Sequence, residues 1–264
     1  MRIFKLMLFV ALLFMPVLTW AKGPADVTHG LHNLSASGVD PWDPNTPGSS
    51  LYATNTEQVC VFCHTPHGGN LNSPLWNRAN PNATSFTHYN SVALSTDLGL
   101  SATRPVSPES LICLSCHDGS ISVNHVTNEP NDLNGLPIKD FYGGEDTKIE
   151  YDIYEGGPGK RIGASWANNT GTGDLSDDHP ISFSYTAVLA SDTYTLGPKG
   201  GTLKPVNSAV LGGDGVRFFG GAAARVECSS CHDPHVDYIT HTEYTPFLIM
   251  SNAGSDLCLA CHTR

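Results

Sequence analysis

The longest apolar run in the chain comes first: Leu6 to Leu18, broken only by Pro16, follows the basic Arg2 and Lys5 and leads to Thr19-Trp20-Ala21 ahead of Lys22. A positive start, a short apolar stretch and a small-residue cleavage site predict an export leader over residues 1–21. The run is shorter than the ~20 apolar residues of a spanning helix, so an uncleaved membrane anchor is the weaker alternative. Beyond it apolar positions are scattered. Alternation in Lys148 to Tyr154 and in Ile181 to Tyr185 predicts short strands, and Ala209 to Phe219, with Gly212-Gly213-Asp214-Gly215 at its centre, predicts a hairpin.

Composition explains why so little periodicity survives. The chain holds 26 Gly and 18 Pro but only 15% charged residues, a mix that favours turns over helices and strands. A chain this rich in loops must bury something besides its own side chains to stay compact. Without the leader it carries 12 basic against 25 acidic side chains, which makes nucleic acid and anionic lipid surfaces poor partners.

All eight cysteines fall in four motifs of one kind: Cys60-Val-Phe-Cys63-His64, Cys113-Leu-Ser-Cys116-His117, Cys228-Ser-Ser-Cys231-His232 and Cys258-Leu-Ala-Cys261-His262. The first and third continue as Cys-His-X-Pro-His; the second and fourth follow a serine and share Cys-Leu-X-Cys-His. Two paired units result, near 60–117 and 228–262, joined by a loop-rich segment over 118–227 within a single domain spanning 22–264. The repeat is too irregular for a solenoid. Cys60 lies far from the cleavage site, so the mature N-terminus is not a lipid-modified cysteine.

Cys-X-X-Cys-His is the pattern of covalent c-type haem attachment. Two thiols one turn apart each form a thioether with a porphyrin vinyl group, and the next residue swings its imidazole to the iron. Zinc or disulfides would use the cysteines but leave the histidine unexplained. Four chance histidines at that position have a probability on the order of a few in a million. The expectation is four haem c groups, attached through Cys60, Cys63, Cys113, Cys116, Cys228, Cys231, Cys258 and Cys261, with His64, His117, His232 and His262 as proximal iron ligands. The expected architecture is mostly irregular and coil-rich, with short α-helices at the motifs, a few short β-strands, and the fold organised around stacked haems.

The sixth ligand separates relay from catalysis. Met1, Met7 and Met15 lie in the leader, leaving Met250 alone, whereas eight histidines remain. Bis-histidine ligation follows as the economical reading, and a coordinatively full iron suits electron transfer. His67 and His235 each lie three residues after a proximal histidine, a reach of ~10–11 Å that cannot wrap a porphyrin edge, so each should serve a neighbouring haem. His179, in Asp177-Asp178-His179-Pro180, and His32 complete the expected distal set. His29 and His125 are their substitutes; His88 and His241 are read as ordinary side chains. Trp42, Trp76 and Trp166 pack on porphyrin edges or in the core.

The runs Cys-Val-Phe-Cys-His-Thr-Pro-His (60–67), Leu-Ser-Cys-His-Asp-Gly (114–119), Asp-Asp-His-Pro-Ile-Ser-Phe (177–183) and Cys-Ser-Ser-Cys-His-Asp-Pro-His (228–235) resemble those of doubled-motif multihaem cytochromes. Among these the chain is most similar to the extracellular tetrahaem cytochrome nanowires of the OmcE type, over nearly its whole mature length. The resemblance implies His32, His67, His179 and His235 as distal ligands. It also implies a homopolymer whose haems form one continuous chain, with a histidine of one subunit completing a haem of the next; His32, 28 residues before Cys60, is the expected reaching residue.

Three functions compete. The first is electron transfer outside the cytoplasm, at the cell surface or in the periplasm, as a filament subunit or a soluble shuttle handing electrons to redox partners or extracellular acceptors. The second is a multihaem reductase with one open iron, disfavoured because all four motifs keep their histidine. The third, a membrane-tethered quinol-oxidising subunit, needs residues 6–21 retained.

Overall fold

The computed structural model describes residues 26–38, 52–70, 73, 75–89, 101–139, 162, 173–176, 178–190, 203–205 and 215–262. The leader, Trp42, Trp166 and the strand expected at Lys148 to Tyr154 lie outside them.

Among the described residues regular structure is sparse. Three α-helices, α1 (Pro108–His117), α2 (Tyr185–Leu189) and α3 (Asp256–Cys261), are joined by 3-10 turns and loops. Four two-residue strands complete the set: β1 (Thr87–His88) pairs in parallel with β2 (Asp174–Leu175), and β3 (Phe183–Ser184) pairs antiparallel with β4 (Arg225–Val226).

The pairing of motifs read from sequence has a structural counterpart. The first and third motifs open as 3-10 turns, Cys60–Phe62 and Cys228–Ser230, whereas the second and fourth end α1 and run through α3. After the first motif the chain returns so that Thr65 N–H donates to Leu75 O and Asn77 N–H to Cys63 O, each at 2.9 Å. After the third, Asp233 N–H donates to Phe247 O at 2.8 Å and Ile249 N–H to Cys231 O at 2.9 Å. Leu75 and Phe247 both take positive φ, 64° and 57°, at the matching bend. Trp76 therefore bridges His64 as Leu248 bridges His232. The second and fourth motifs are flanked alike: Ile162 N–H donates to His117 O and Lys204 N–H to Cys261 O, both at 2.7 Å.

α1 begins where Ser107, in extended conformation, hands over to Pro108, whose fixed φ and missing N–H suit a first turn. Glu109 in that turn and His117 in the last complement the helix dipole. Its buried face, Ser110, Leu111, Leu114 and Ser115, repeats at i, i+1, i+4 and i+5.

Apolar packing is divided among small clusters, each beside a motif. Phe62, inside the first, packs with Ala53, Val126, Leu133 and Ile138. Leu111 and Leu114, around the second, pack with Phe86, Val106 and Leu175. Tyr185, Ala224 and Val226 form the third, against Phe183 and Cys261.

Two strand expectations change. Ile181 to Tyr185 is a strand only at Phe183–Ser184, because Ser182 has φ 58° and the Ser184 hydroxyl accepts from Ala187 N–H, capping α2 at Tyr185. A side-chain oxygen that satisfies a helix N–H favours a helix start over strand continuation. Of the hairpin expected at Ala209 to Phe219, only residues 215–219 are described. There Phe219 pairs with Arg225 around the 3-10 turn Gly221–Ala223.

Candidate haem and iron-ligand sites

Each motif presents its cysteines and histidine through the same backbone bond. His64, His232 and His262 N–H groups donate to Cys60 O at 2.8 Å, Cys228 O at 3.1 Å and Cys258 O at 2.9 Å. The backbone thus makes one tight turn between the first cysteine and the histidine of these motifs. No disulfide joins any of the eight cysteines. Burial pushes the Cys63 thiol up to about 12, reinforced by Cys116, and pushes Cys231 up to about 11, reinforced by Cys261. Cys113 hydrogen-bonds Cys228, which raises Cys113 and lowers Cys228. The motifs thus neighbour one another in chain order: Cys63 feels the charge of Cys116, Cys113 hydrogen-bonds Cys228, and Cys231 feels the charge of Cys261.

The histidines come together across motifs. His64 and His235 stack with centroids 6.3 Å apart and planes 9° from parallel. His32 and His117 have centroids 6.1 Å apart at 70°. Imidazole nitrogen binds a metal at roughly 2 Å, so two rings on opposite faces of one ion have centroids about 6 Å apart. Both pairs stand at about that separation. His179 lies near His262, whose pKa is lowered by burial and then by the charge of His179.

The nitrogen left free is set by the nitrogen already bonded. His232 Nδ1 is 2.9 Å from Pro246 O and His179 Nδ1 is 2.9 Å from Pro180 O. A carbonyl only accepts, so Nδ1 carries the hydrogen in both and Nε2 keeps its lone pair for a metal. His235 is held likewise, with Nδ1 2.8 Å from Asp233 Oδ1, and Arg217 stands 2.8 Å from the other Asp233 oxygen. Burial alone would raise the Asp233 carboxyl, but bonds from His235 and Arg217 outweigh it and hold it well below the carboxylate range. His32 is lowered to about 3, by burial and then by the charge of His117, and its buried Nδ1 has no partner.

The remaining histidines are placed differently. His67 is exposed beside a cleft of about 620 Å³ also lined by Cys60, His64, Pro66, Leu75 and Pro130. Leu75 is 54% exposed there, an apolar wall that a flat apolar group would cover. His88 is buried with Nε2 2.9 Å from Arg104 O, and its Nδ1 is buried without a partner among the described residues. His29 is exposed and bound to Asp26, His125 is exposed, and His241 stands 3.8 Å from Glu243. Trp76 meets the His64 ring edge-on, with centroids 6.0 Å apart.

The expected distal residues thus divide. His235 and His32 each face a proximal histidine of another motif, His179 neighbours the fourth motif, and His67 meets no imidazole among the described residues. His32, expected to reach into a neighbour, lies beside His117 of its own chain. Sequence spacing carried no signal for Asp233 as the residue that orients His235, although an acid two positions before a histidine is within hydrogen-bond reach.

Among the described residues, no three His, Cys, Asp or Glu side chains converge to hold a metal ion. The donors stand as imidazole pairs, not as the three- or four-donor cage of a zinc site. No helix of the described residues is long and apolar enough to cross a membrane. No family model matches the chain, and no curated protein matches it.

Proposed function

We propose that this chain is a multihaem c-type cytochrome, not an enzyme, that binds four haems covalently and passes electrons between them. The observation that carries the reading is the juxtaposition of His64 with His235 and of His117 with His32, each joining a proximal histidine to one from elsewhere in the chain at a spacing suited to one iron. The thiols hold the porphyrins. The imidazole pairs exclude water and substrate from the metal, and the group supplies reversible one-electron chemistry when bound. Motif-to-motif contacts keep the four sites in sequence, as short electron steps require.

The particular protein proposed is a subunit of an extracellular filament resembling the OmcE-type nanowires. Three distal imidazoles, His32, His179 and His235, lie inside the chain beside proximal ones. His67, at the outer edge of the first motif, is left over, and one of His232 and His262 is left without an in-chain partner once His179 serves the other. Head-to-tail use of His67 by the next copy completes that iron, and such a heterologous contact propagates as a fibre. An export leader agrees with assembly outside the cell.

Intact mass and visible spectrum test the core of this reading: four haem masses added to the mature chain, all low-spin and unchanged by carbon monoxide in the assembled material. A colourless protein ends it. Electron microscopy separates filament from shuttle, since particles that stay monomeric at high concentration refute polymerisation. The incomplete site within one chain also favours a second reading, a reductase with an open iron. Carbon monoxide binding that persists in filaments supports that alternative.

A further inference from the structure

Arg78 is fully buried, at 1% exposure. It sits between the first two motifs, since the backbone N–H of adjacent Asn77 donates to Cys63 O while the Arg78 guanidinium reaches the segment around Cys116. Nη1 donates to Val123 O at 2.6 Å, and Nη2 to Ser122 O at 2.5 Å and Ser115 O at 3.4 Å. Its Nε is buried without a partner among the described residues. All its partners are carbonyl oxygens. No ion pair among the described residues includes it, whereas Arg217 and Arg225 both bind carboxylates. A guanidinium stays charged at any working pH, so a full positive charge is enclosed here with no carboxylate paired to it among the described residues. That arrangement is unfavourable unless another group in the site gains from the charge.

The boundary with the second unit carries the opposite sign. Glu227, fully buried beside Cys228, accepts from Ser110 Oγ at 2.7 Å and Ser182 Oγ at 3.1 Å. Arg225, 3.0 Å from it, is shared with Glu109 at 2.6 Å, and Arg104 is near enough to feel its charge, while Asp178 adds a further negative charge acting on Cys228.

We propose that Arg78 is the electrostatic tuning residue of the first unit: its enclosed positive charge favours the reduced state of the haems bound through His64 and His117 over those bound through His232 and His262. Electrons then rest on the first half of each chain, which gives the relay a direction. The proposal rests on the four-haem reading, and the two fail separately, because haem content tests one and potentials test the other.

Spectroelectrochemistry of the full-length, four-haem protein is the test. Arg78→Gln keeps hydrogen-bonding capacity and removes the charge. It is expected to lower two of the four transitions by about tenfold in the one-electron equilibrium, about 59 mV each. Arg78→Lys keeps the charge and is expected to leave those transitions close to wild type. Unchanged potentials in Arg78→Gln, or an equal shift in Arg78→Lys, overturn the proposal. An independent reading uses the arginine intact: Cys60→Ala with Cys63→Ala deletes one haem, and the transition that disappears should be one of the two highest. Loss of one of the two lowest overturns it as well.

Discussion

His235 shows how much a single side chain is asked to do. Its Nδ1 is fixed by Asp233, which Arg217 holds in turn, so Nε2 is presented on a rigid arm. Replacing it with alanine should leave the porphyrin attached through Cys60 and Cys63 but open one face of the iron at His64. The expected outcome is a high-spin fraction of about one haem in four that binds carbon monoxide; a fully low-spin spectrum would mean that another ligand serves that site. Asp233→Asn should keep the ligand but loosen it, giving a smaller high-spin fraction.

His29 and Asp26 form a different kind of pair, exposed and local. The Thr28 hydroxyl and then His29 hold the Asp26 carboxyl at about 2, below its ordinary 3.8, and Asp26 raises His29 above 6.5. A lowered acid stabilises above its unfolded pKa and loses that contribution as pH falls through about 2. A raised base stabilises below its unfolded pKa and loses it as pH rises through the folded one. The turn at Val27–His29 should therefore be best held between pH 3.8 and 6.5. Proton NMR of the reduced protein should show His29 titrating above 6.5, returning toward it in Asp26→Asn; no difference between the two would discount the pair.

At the scale of elements, the repeating unit is a motif followed by a return strand. In the first unit Asn77 locks that return: its Nδ2 donates to Val61 O at 2.7 Å and Asn128 O at 2.9 Å, and its Oδ1 accepts from Asn128 N–H at 2.8 Å. Asn77→Ala removes the partner of three part-buried backbone groups and should lower stability by about 3 kcal/mol, read as a shift in denaturant midpoint. Phe62→Ala, in the cluster under the first turn, should lower it by about 3–5 kcal/mol through the cavity it leaves. A change below about 1 kcal/mol in either would mean that the bound porphyrin, and not these contacts, holds the segment. The strand expected at Ile181 to Tyr185 is present at this scale only as Phe183–Ser184. Alternation marks a chain that can extend, yet a serine hydroxyl at its end can equally cap a helix, and periodicity does not distinguish them.

At the scale of the molecule, the apolar clusters among the described residues are separate and small, and each lies beside a motif. Such a chain should not hold its fold without the groups that fill the gaps. Replacing all eight cysteines with serine should give a soluble-leader-processed but protease-sensitive chain with near-random far-ultraviolet circular dichroism. A cooperative unfolding transition in that variant would show that the protein packs without haem. For the filament, His67→Ala should impair assembly while leaving four haems attached, since the residue lies on an outer edge and touches no other imidazole among the described residues. Normal filaments from that variant would require another histidine as the link.

The cysteine spacing, the supply of histidines and the shortage of methionine were legible along the chain because they concern neighbours in sequence, where bond lengths and one turn of backbone already dictate reach. The same locality exposed the two-unit repeat and the need of His67 and His235 to look beyond their own motifs. Which imidazoles meet was decided only by the tertiary structure. His32 and His117 are 85 positions apart and His64 and His235 are 171 apart, and nothing in their flanking residues encodes the pairing. The buried charges of Arg78 and Glu227 were hidden for the same reason: burial and the sign of the surrounding field are sums over segments that only folding brings together.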